Sequence, residues 1–199
     1  SIIPIIVTIV IVLLALFVTA IYFPKLEKYV QIICMIPYTI QGVILSVSIL
    51  SLYVGSSSIL SNRLVMLMGA YCIVILPYIY QGIRNGMRAV NMPTLIEAAE
   101  MLGASKIYAF FRVVVPNILS AIIVSSLLAV GIIFGDYVLI RNLAGTSAPN
   151  MQIFLYQTMK SDSTKASAVF VVIMFVTFVI TAIVLFVKSR EAKGKTHRK

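Results

Sequence analysis

The sequence predicts an all-α, polytopic membrane protein, and three observations support this prediction. Hydrophobic residues make up 61% of the 199 residues and charged residues only 11%, against about 25% charged in soluble domains. The mean hydropathy is +1.07. The apolar residues fall in runs of roughly 20, the length that a helix needs to cross a bilayer, whereas a membrane barrel would show short alternating segments. A single transmembrane domain over residues 1–190 is expected.

Five spans are expected along the chain, at residues 2–23, 30–54, 64–83, 113–140 and 168–187. Pro37 lies near the start of the second span and Pro77 near the end of the third. A proline inside a helix removes a backbone hydrogen bond and bends the helix, but near a helix end it costs little. The two prolines therefore indicate either bent helices, suited to a pathway that opens and closes, or ordinary helix ends.

The distribution of Lys and Arg predicts the orientation. With the loop 84–112 and the C-terminal residues 188–199 in the cytoplasm, twelve basic residues lie inside and four outside, a positive-inside bias. Residue 1 then lies outside, and a missing upstream helix would bring the true N-terminus inside. The net charge of +10 therefore indicates topology rather than nucleic-acid binding. The basic cytoplasmic tail, 191–199, is expected to be a disordered stop-transfer segment.

Several classes of chemistry are excluded by what the sequence lacks. It has no phosphate-binding glycine loop followed by Lys-Ser/Thr, so the chain cannot hydrolyse ATP by that route. Its single histidine, His197, rules out most metal chemistry and a Ser-His-Asp set. The two cysteines, Cys34 and Cys72, lie in apolar runs and are expected to be inert thiols.

The loop 84–112 contains a polar, helix-compatible segment that is predicted to form two short helices with a hinge. Thr94 can cap a first helix over residues 95–102, and Glu97 completes a capping box three residues later. Gly103 suits the left-handed position that ends a helix. Ser105 can cap a second helix, which runs into the fourth span.

This segment resembles the EAA loop of permease subunits of type I ATP-binding-cassette (ABC) importers. Glu97-Ala98-Ala99, Gly103 and Pro116 fall at the family's spacings, with Val113 and Val115 in place of Ile and Leu. The resemblance extends over residues 76–97 and 37–45, where Gln41 stands at a position that is often proline. It implies the type I permease fold, with about five core helices and a cytoplasmic coupling helix that docks on an ATPase. The coupling residues would be Glu97, Ala98, Ala99, Gly103 and Ser105; alternatively, Glu97 serves mainly as a helix cap.

The resemblance also implies a function and partners. The chain would be the permease subunit of an ATP-driven importer in the cell membrane, not an enzyme, with a cytoplasmic C-terminus. Its partners would be ATPase subunits that bind ATP and Mg, a second permease, an extracytoplasmic solute-binding lipoprotein and membrane lipid, but no nucleic acid. A secondary transporter or channel is the alternative, but such proteins usually carry several intramembrane charges or an inverted repeat.

Asp136 is the one acidic residue at membrane depth, and it is predicted to lie within the helical fourth span near its outer end. Gly131 and Gly135 stand before it at a spacing that predicts close helix packing. A carboxylate at this depth must face a partner or a wet cavity. Asp136 is therefore either a pathway residue that helps admit a cationic solute, or an interfacial carboxylate paired with Arg141 or with backbone. The other candidate pathway residues are Tyr137, Pro37, Gln41 and Pro77.

The solute is the least determined feature. The resemblance is strongest to the branch that imports spermidine or putrescine, ferric ion, or phosphonate. Asp136 and Tyr137 favour a polyamine, with ferric ion or an organic anion as alternatives. The outer loop 141–167 is predicted to hold a turn at 145–149 and a short surface helix at 150–160. The resemblance implies that this loop contacts the solute-binding protein; a lid helix on the membrane surface is the alternative. One face of the helix would carry Met151, Phe154, Leu155 and Met159.

Overall fold

The computed structural model describes residues 2–40, 42–53, 62–145 and 151–196, and gives no side-chain description for residues 151, 180–181 and 183–196. Gln41, the end of the second predicted span and most of the predicted turn at 145–149 lie outside the described residues. The chain forms two compact units, Ser1–Ala148 and Pro149–Lys199, and each is described by itself. The single domain over residues 1–190 stays a prediction.

The regular elements among the described residues are all helical, and the predicted all-α membrane fold is confirmed. The first unit begins with α1, α2, α3 and α4, with a 3-10 turn at Pro24–Leu26 before α2; these helices span Ile2–Ile21, Glu27–Thr39, Val43–Tyr53 and Arg63–Ala89. Next come α5 at Met92–Met101, α6 at Lys106–Ala109, a π-helical turn at Phe110–Val114, α7 at Val115–Asn117 and α8 at Leu119–Gly135. A second π-helical turn, Ile140–Ala144, follows α8. The second unit contains α9, Met151–Ser161, and α10, Ser163–Thr196.

Helix α4 is the central helix of the first unit and packs against α1, α2 and α8. Its 27 residues make it about 40 Å long, and Ile75, Ile79 and Ile83 are fully buried along one face. The third span was predicted to end at residue 83, but α4 continues to Ala89 because Met87, one turn on, is also buried. Pro77 therefore lies in the middle of the helix rather than near its end.

Two of the predicted spans are broken helices. The second is divided into α2 and α3, with Gly42 at φ +64° between them. The fourth starts earlier than predicted, at Lys106, and bends by 65° between α7 and α8. Pro116 explains the irregular backbone before this bend, because it has no N–H for the carbonyl of Arg112. The Val115 N–H bonds to Phe110 five residues back, which is the π-helical pattern.

By length and composition, the described residues contain two helices able to cross a bilayer, α1 and α4, and up to four spans if each bent pair counts as one. The fifth predicted span falls in α10, whose described apolar part is Ser163–Val179. Helix α10 continues to Thr196. The tail, which was predicted to be disordered, is therefore helical as far as the description extends.

Glycines bring α4 and α8 into contact. A Cβ on Gly82 would lie 2.4 Å from the Ser125 Cβ, and one on Gly86 would lie 2.4 Å from the Ala121 Cβ. The close packing that the spacing of Gly131 and Gly135 allows is not found among the described residues, where a Cβ at either position meets no atom within 4 Å, and it stays a prediction. The buried stripe of α8 runs through Ile122, Ser125, Ala129 and Ile133. Gly131 lies two residues, about 200°, around the helix from Ala129.

The second unit is a helical hairpin in which α9 packs against α10. Asp162 begins α10, and its Oδ1 accepts hydrogen bonds from the Thr164 and Lys165 N–H groups at 3.0 and 3.3 Å. The predicted surface helix is confirmed as α9. Of its predicted apolar face, Phe154 and Met159 are more than half exposed, whereas Ile153 is buried.

Candidate functional site

Helix α5 carries the Glu97-Ala98-Ala99 segment and begins three residues earlier than predicted. Asn91, in the left-handed conformation at φ 51°, precedes it without a side-chain cap, and Pro93 occupies the first turn. Proline has a fixed φ that suits this position. Thr94 therefore lies inside the helix, and the predicted capping box is wrong. Glu97 is exposed and does not cap this helix, so the alternative of a mainly structural cap lacks its geometric basis.

The hinge after α5 has the predicted chemistry. Gly103 adopts φ +83°, and two backbone hydrogen bonds close the helix end, from Gly103 N–H to Glu100 at 2.9 Å and from Ala104 N–H to Ala99 at 3.0 Å. This is the Schellman motif, in which a glycine takes the left-handed position. The Ser105 side chain accepts a hydrogen bond from the Tyr108 N–H at 3.3 Å and caps α6.

An ion pair and aromatic contacts fix the two sides of the hinge. The Lys106 Nζ lies 3.8 Å from the Glu100 Oε1, so charges from α6 and α5 meet across the glycine. Phe110, directly after α6, is fully buried, and its ring centroid lies 4.9 Å from that of Phe17 in α1. The segment that follows the hinge is therefore in direct side-chain contact with α1.

The end of α5 and the segment after the hinge carry exposed apolar side chains. Met92, Ile96 and Ala99 form the buried face of α5. Met101 and Leu102 are each 89% exposed at its end. Beyond the hinge, Ile107 and Tyr108 are more than half exposed. Large apolar side chains clustered on an exposed surface mark protein contact sites.

A charge cluster that the sequence analysis did not find joins the start of α2 to α4. The Glu27 Oε1 accepts hydrogen bonds from two nitrogens of Arg84, Nε at 2.8 Å and Nη2 at 2.7 Å. The Arg88 Nη2 lies 3.5 Å from the same oxygen. The Arg84 side chain is only 14% exposed. The contact places the α1–α2 turn at the same end of α4 as Arg84 and Arg88. Arg63 begins the opposite end, roughly 32 Å away along the helix.

Asp136 lies at a helix break rather than inside a helix. Helix α8 ends at Gly135, and Asp136 has an extended backbone, at φ −84° and ψ 120°. Its Oδ2 accepts a hydrogen bond from the Tyr71 hydroxyl at 3.2 Å, and its Oδ1 lies 3.5 Å from the Leu139 N–H of the next turn. The backbone pairing was one of the predicted alternatives. Among the described residues Asp136 forms no ion pair with Arg141.

A cavity of about 320 Å³ adjoins this carboxylate. Asp136, Tyr71 and Gly42 are among its lining residues, together with the apolar side chains of Val74, Ile132 and Leu139. The sequence analysis did not identify Tyr71, which lies 65 residues from Asp136 in the sequence. The one available signal was its position in an apolar run, where a buried tyrosine hydroxyl needs a hydrogen-bond partner.

Two of the other candidate pathway residues, Pro37 and Pro77, do not lie at this cavity. Both are absent from its described lining. The residues that follow them, Tyr38 in α2 and Tyr78 in α4, bring the two helices into contact, with ring centroids 5.8 Å apart. Pro37 is two residues from the end of α2 and Pro77 is interior to α4. Tyr137 follows Asp136 and is half-buried.

Comparison with known proteins assigns the family. Residues 1–191 match the sequence profile of the family described as the inner membrane component of binding-protein-dependent transport systems. No curated protein matches the chain. The matched segment covers nearly the whole sequence, including α5, the hinge and the Asp136 cavity. The chain therefore belongs to the family of inner-membrane permease components of binding-protein-dependent ABC importers, which are not enzymes and in which separate ATPase subunits hydrolyse ATP.

Proposed function

We propose that α5 and its hinge, residues 92–108, form the surface of this permease that docks on the ATPase. The observation that supports this most strongly is the exposure of Met101 and Leu102, at 89% each, on a helix whose other face is buried. Glu97 and Ala98 are exposed beside them. A short helix with a firmly packed inner face and an apolar tip is suited to insertion into a cleft of a partner.

The hinge would convert movement of the ATPase into movement of the spans. Gly103 and Ser105 end one helix and start the next within three residues, and Phe110 anchors the second in the body of the chain against α1. ATP and Mg would bind to the ATPase subunit. ATP-driven closure of the ATPases would displace α5, and a second permease, paralogous or identical, would complete the pathway. This is coupling between distant sites through a two-state element.

The orientation follows from the same assignment. An ATPase in the cytoplasm requires α5 to face that side, which places the basic cluster of Lys25, Lys28, Arg84 and Arg88 inside. Glu27 contacts both arginines and so groups these charges at one end of α4. The positive-inside rule supports this end as the cytoplasmic one. The C-terminus would then be cytoplasmic as well.

For the solute, we propose a small organic cation of the polyamine class, delivered by an extracytoplasmic binding protein. The carboxylate of Asp136 beside a cavity of about 320 Å³ supports a cation over an anion, because a carboxylate attracts positive charge strongly in a low-dielectric site. The Tyr71 hydroxyl would orient the carboxylate. Ferric ion and phosphonate are the competing solutes, and phosphonate is disfavoured by the same negative charge.

Site-specific cross-linking tests the docking surface. A photoreactive side chain is placed at Leu102, and for comparison at Phe154, which is 57% exposed on α9. Irradiation of membranes from cells that also produce the ATPase should give an ATPase adduct from residue 102 and none from residue 154. An intact permease–ATPase complex that gives no adduct at residue 102 would overturn the assignment of α5.

A further inference from the structure

The segment that joins α1 to α2, residues 22–29, combines exposed aromatic and basic side chains; we refer to it as the α1–α2 corner. Lys25 and Lys28 are exposed. The corner follows α1, a predominantly apolar helix of 20 residues, so it lies at the depth where a bilayer changes from hydrocarbon to headgroups. Aromatic side chains are enriched at that depth. The exposed ones, with an accompanying leucine, are Tyr22, Phe23, Leu26 and Tyr29, at 45–63% exposure.

The charges at this corner are only partly compensated. Glu27 accepts both hydrogen bonds of Arg84 with one oxygen, which neutralises that guanidinium. Arg88 reaches the same oxygen only at 3.5 Å and is 62% exposed, so most of its five N–H donors remain available. Lys25 and Lys28 flank Glu27 in the sequence, so the corner and the two arginines together carry four cations and one carboxylate, a net charge of about +3.

We propose that the α1–α2 corner and Arg88 bind the headgroup of an anionic phospholipid. Lys25, Lys28 and Arg88 would donate hydrogen bonds to the phosphate oxygens, and the exposed aromatic side chains would lie against the glycerol and upper acyl region. The Arg84–Glu27 pair is the positioning element, because it holds the start of α2 against α4 and so brings the lysines to Arg88. Charge complementarity and membrane depth both favour this occupant.

A soluble anion would contact the cations of this surface but not its apolar side chains. Inorganic phosphate could meet the cations but would leave the neighbouring apolar side chains in contact with headgroups alone, whereas a phospholipid satisfies both. The proposal does not depend on the solute or on the docking role of α5.

Native mass spectrometry of the full chain in mild detergent tests the proposal. Phosphatidylglycerol and phosphatidylcholine with identical acyl chains are offered together, and the bound fractions are compared. The test variant, Lys25→Gln/Lys28→Gln/Arg88→Gln, keeps the Arg84–Glu27 pair. The control variant, Arg63→Gln/Arg141→Gln/Lys160→Gln, removes three cations that the sequence analysis places on the outer side. Circular dichroism checks that both variants remain helical.

The wild type and the control should retain phosphatidylglycerol preferentially. The test variant should lose at least tenfold of that preference, since each cation near an anionic surface contributes about a fivefold factor. If the triple variant does not fold, Arg88→Gln alone should lose about fivefold. Unchanged preference in a folded variant would overturn the proposal. Displacement of the lipid by millimolar inorganic phosphate would also overturn it. If the test variant loses a copurifying subunit while its lipid binding is unchanged, the surface binds a protein and the proposal is wrong.

Discussion

Adding one methyl group to Gly86 is predicted to separate α4 from α8. In Gly86→Ala the new Cβ would lie 2.4 Å from the Ala121 Cβ, whereas carbon atoms pack at about 3.5–4.0 Å. The helices must therefore move apart by more than about 1 Å at this point. Overpacking of this kind costs about 1–3 kcal/mol. Replacing glycine by alanine inside a helix returns about 1 kcal/mol of helix propensity.

Gly69→Ala is the matched control on the same helix. A Cβ at Gly69 meets no described atom within 4 Å, so this variant gains the propensity without the clash. Gly86→Ala should therefore be about 1–3 kcal/mol less stable than Gly69→Ala. Adding Ala121→Gly to Gly86→Ala removes the opposing methyl group and should recover most of the loss, less the propensity cost at residue 121.

A thiol-reactive fluorophore can follow thermal unfolding in detergent, because Cys34 and Cys72 are the only cysteines and both are at least partly buried. Gly86→Ala should unfold roughly 2–4 °C lower for each kcal/mol lost. Equal midpoints for Gly86→Ala and Gly69→Ala would refute the packing described for α4 and α8. Failure of Ala121→Gly to rescue would show that the clash does not lie where the distances place it.

Three further predictions concern the hinge, the carboxylate and the second unit. Gly103→Val should reduce ATP-driven uptake while the chain still assembles, because a branched residue at φ +83° costs about 1–2 kcal/mol. Gly103→Asn should retain most of the uptake, and equal uptake by the two variants would contradict the argument. Asp136→Asn keeps the cap on Leu139 but removes the charge, so uptake of a polyamine should fall at least tenfold with expression unchanged; normal uptake would make Asp136 a structural cap. Hydrogen bonds from Lys165 hold the pKa of Asp162 below its usual range, so its cap on α10 should be complete above about pH 4 and be lost as pH falls through the lower folded value. The Thr164 amide NMR shift should follow this titration in the wild type but not in Asp162→Asn, and a midpoint at or above the usual carboxyl pKa would contradict it.

The features that were predicted correctly depend on residues that are close together in the sequence. The left-handed turn at Gly103 and the cap at Ser105 follow from backbone chemistry within a few positions, and the structure confirms both. The start of α5 was wrong because two local signals compete. Thr94 with Glu97 forms a plausible capping box, but Pro93 fits the first turn and extends the helix back to Met92.

Features that depend on contacts between distant segments could not be predicted. The Tyr71–Asp136 hydrogen bond joins residues 65 apart, and Glu27 meets Arg84 from 57 residues away. The apolar runs indicated spans but not the direction that each helix faces, so the close approach of α4 and α8 at Gly82 and Gly86 could not be predicted. Hydropathy also does not reveal the break before Asp136, which depends on how the backbone turns after Gly135.

The measurement that tests the central claim most directly is purification of the tagged full chain from membranes in mild detergent, with copurifying proteins identified by mass spectrometry. A permease that couples ATP hydrolysis to uptake through α5 should bring with it an ATPase containing a phosphate-binding loop, a second permease and a solute-binding protein. Gly103→Val should keep these partners while losing uptake. Recovery of the chain alone, or only as a homo-oligomer without an ATPase, would contradict the account.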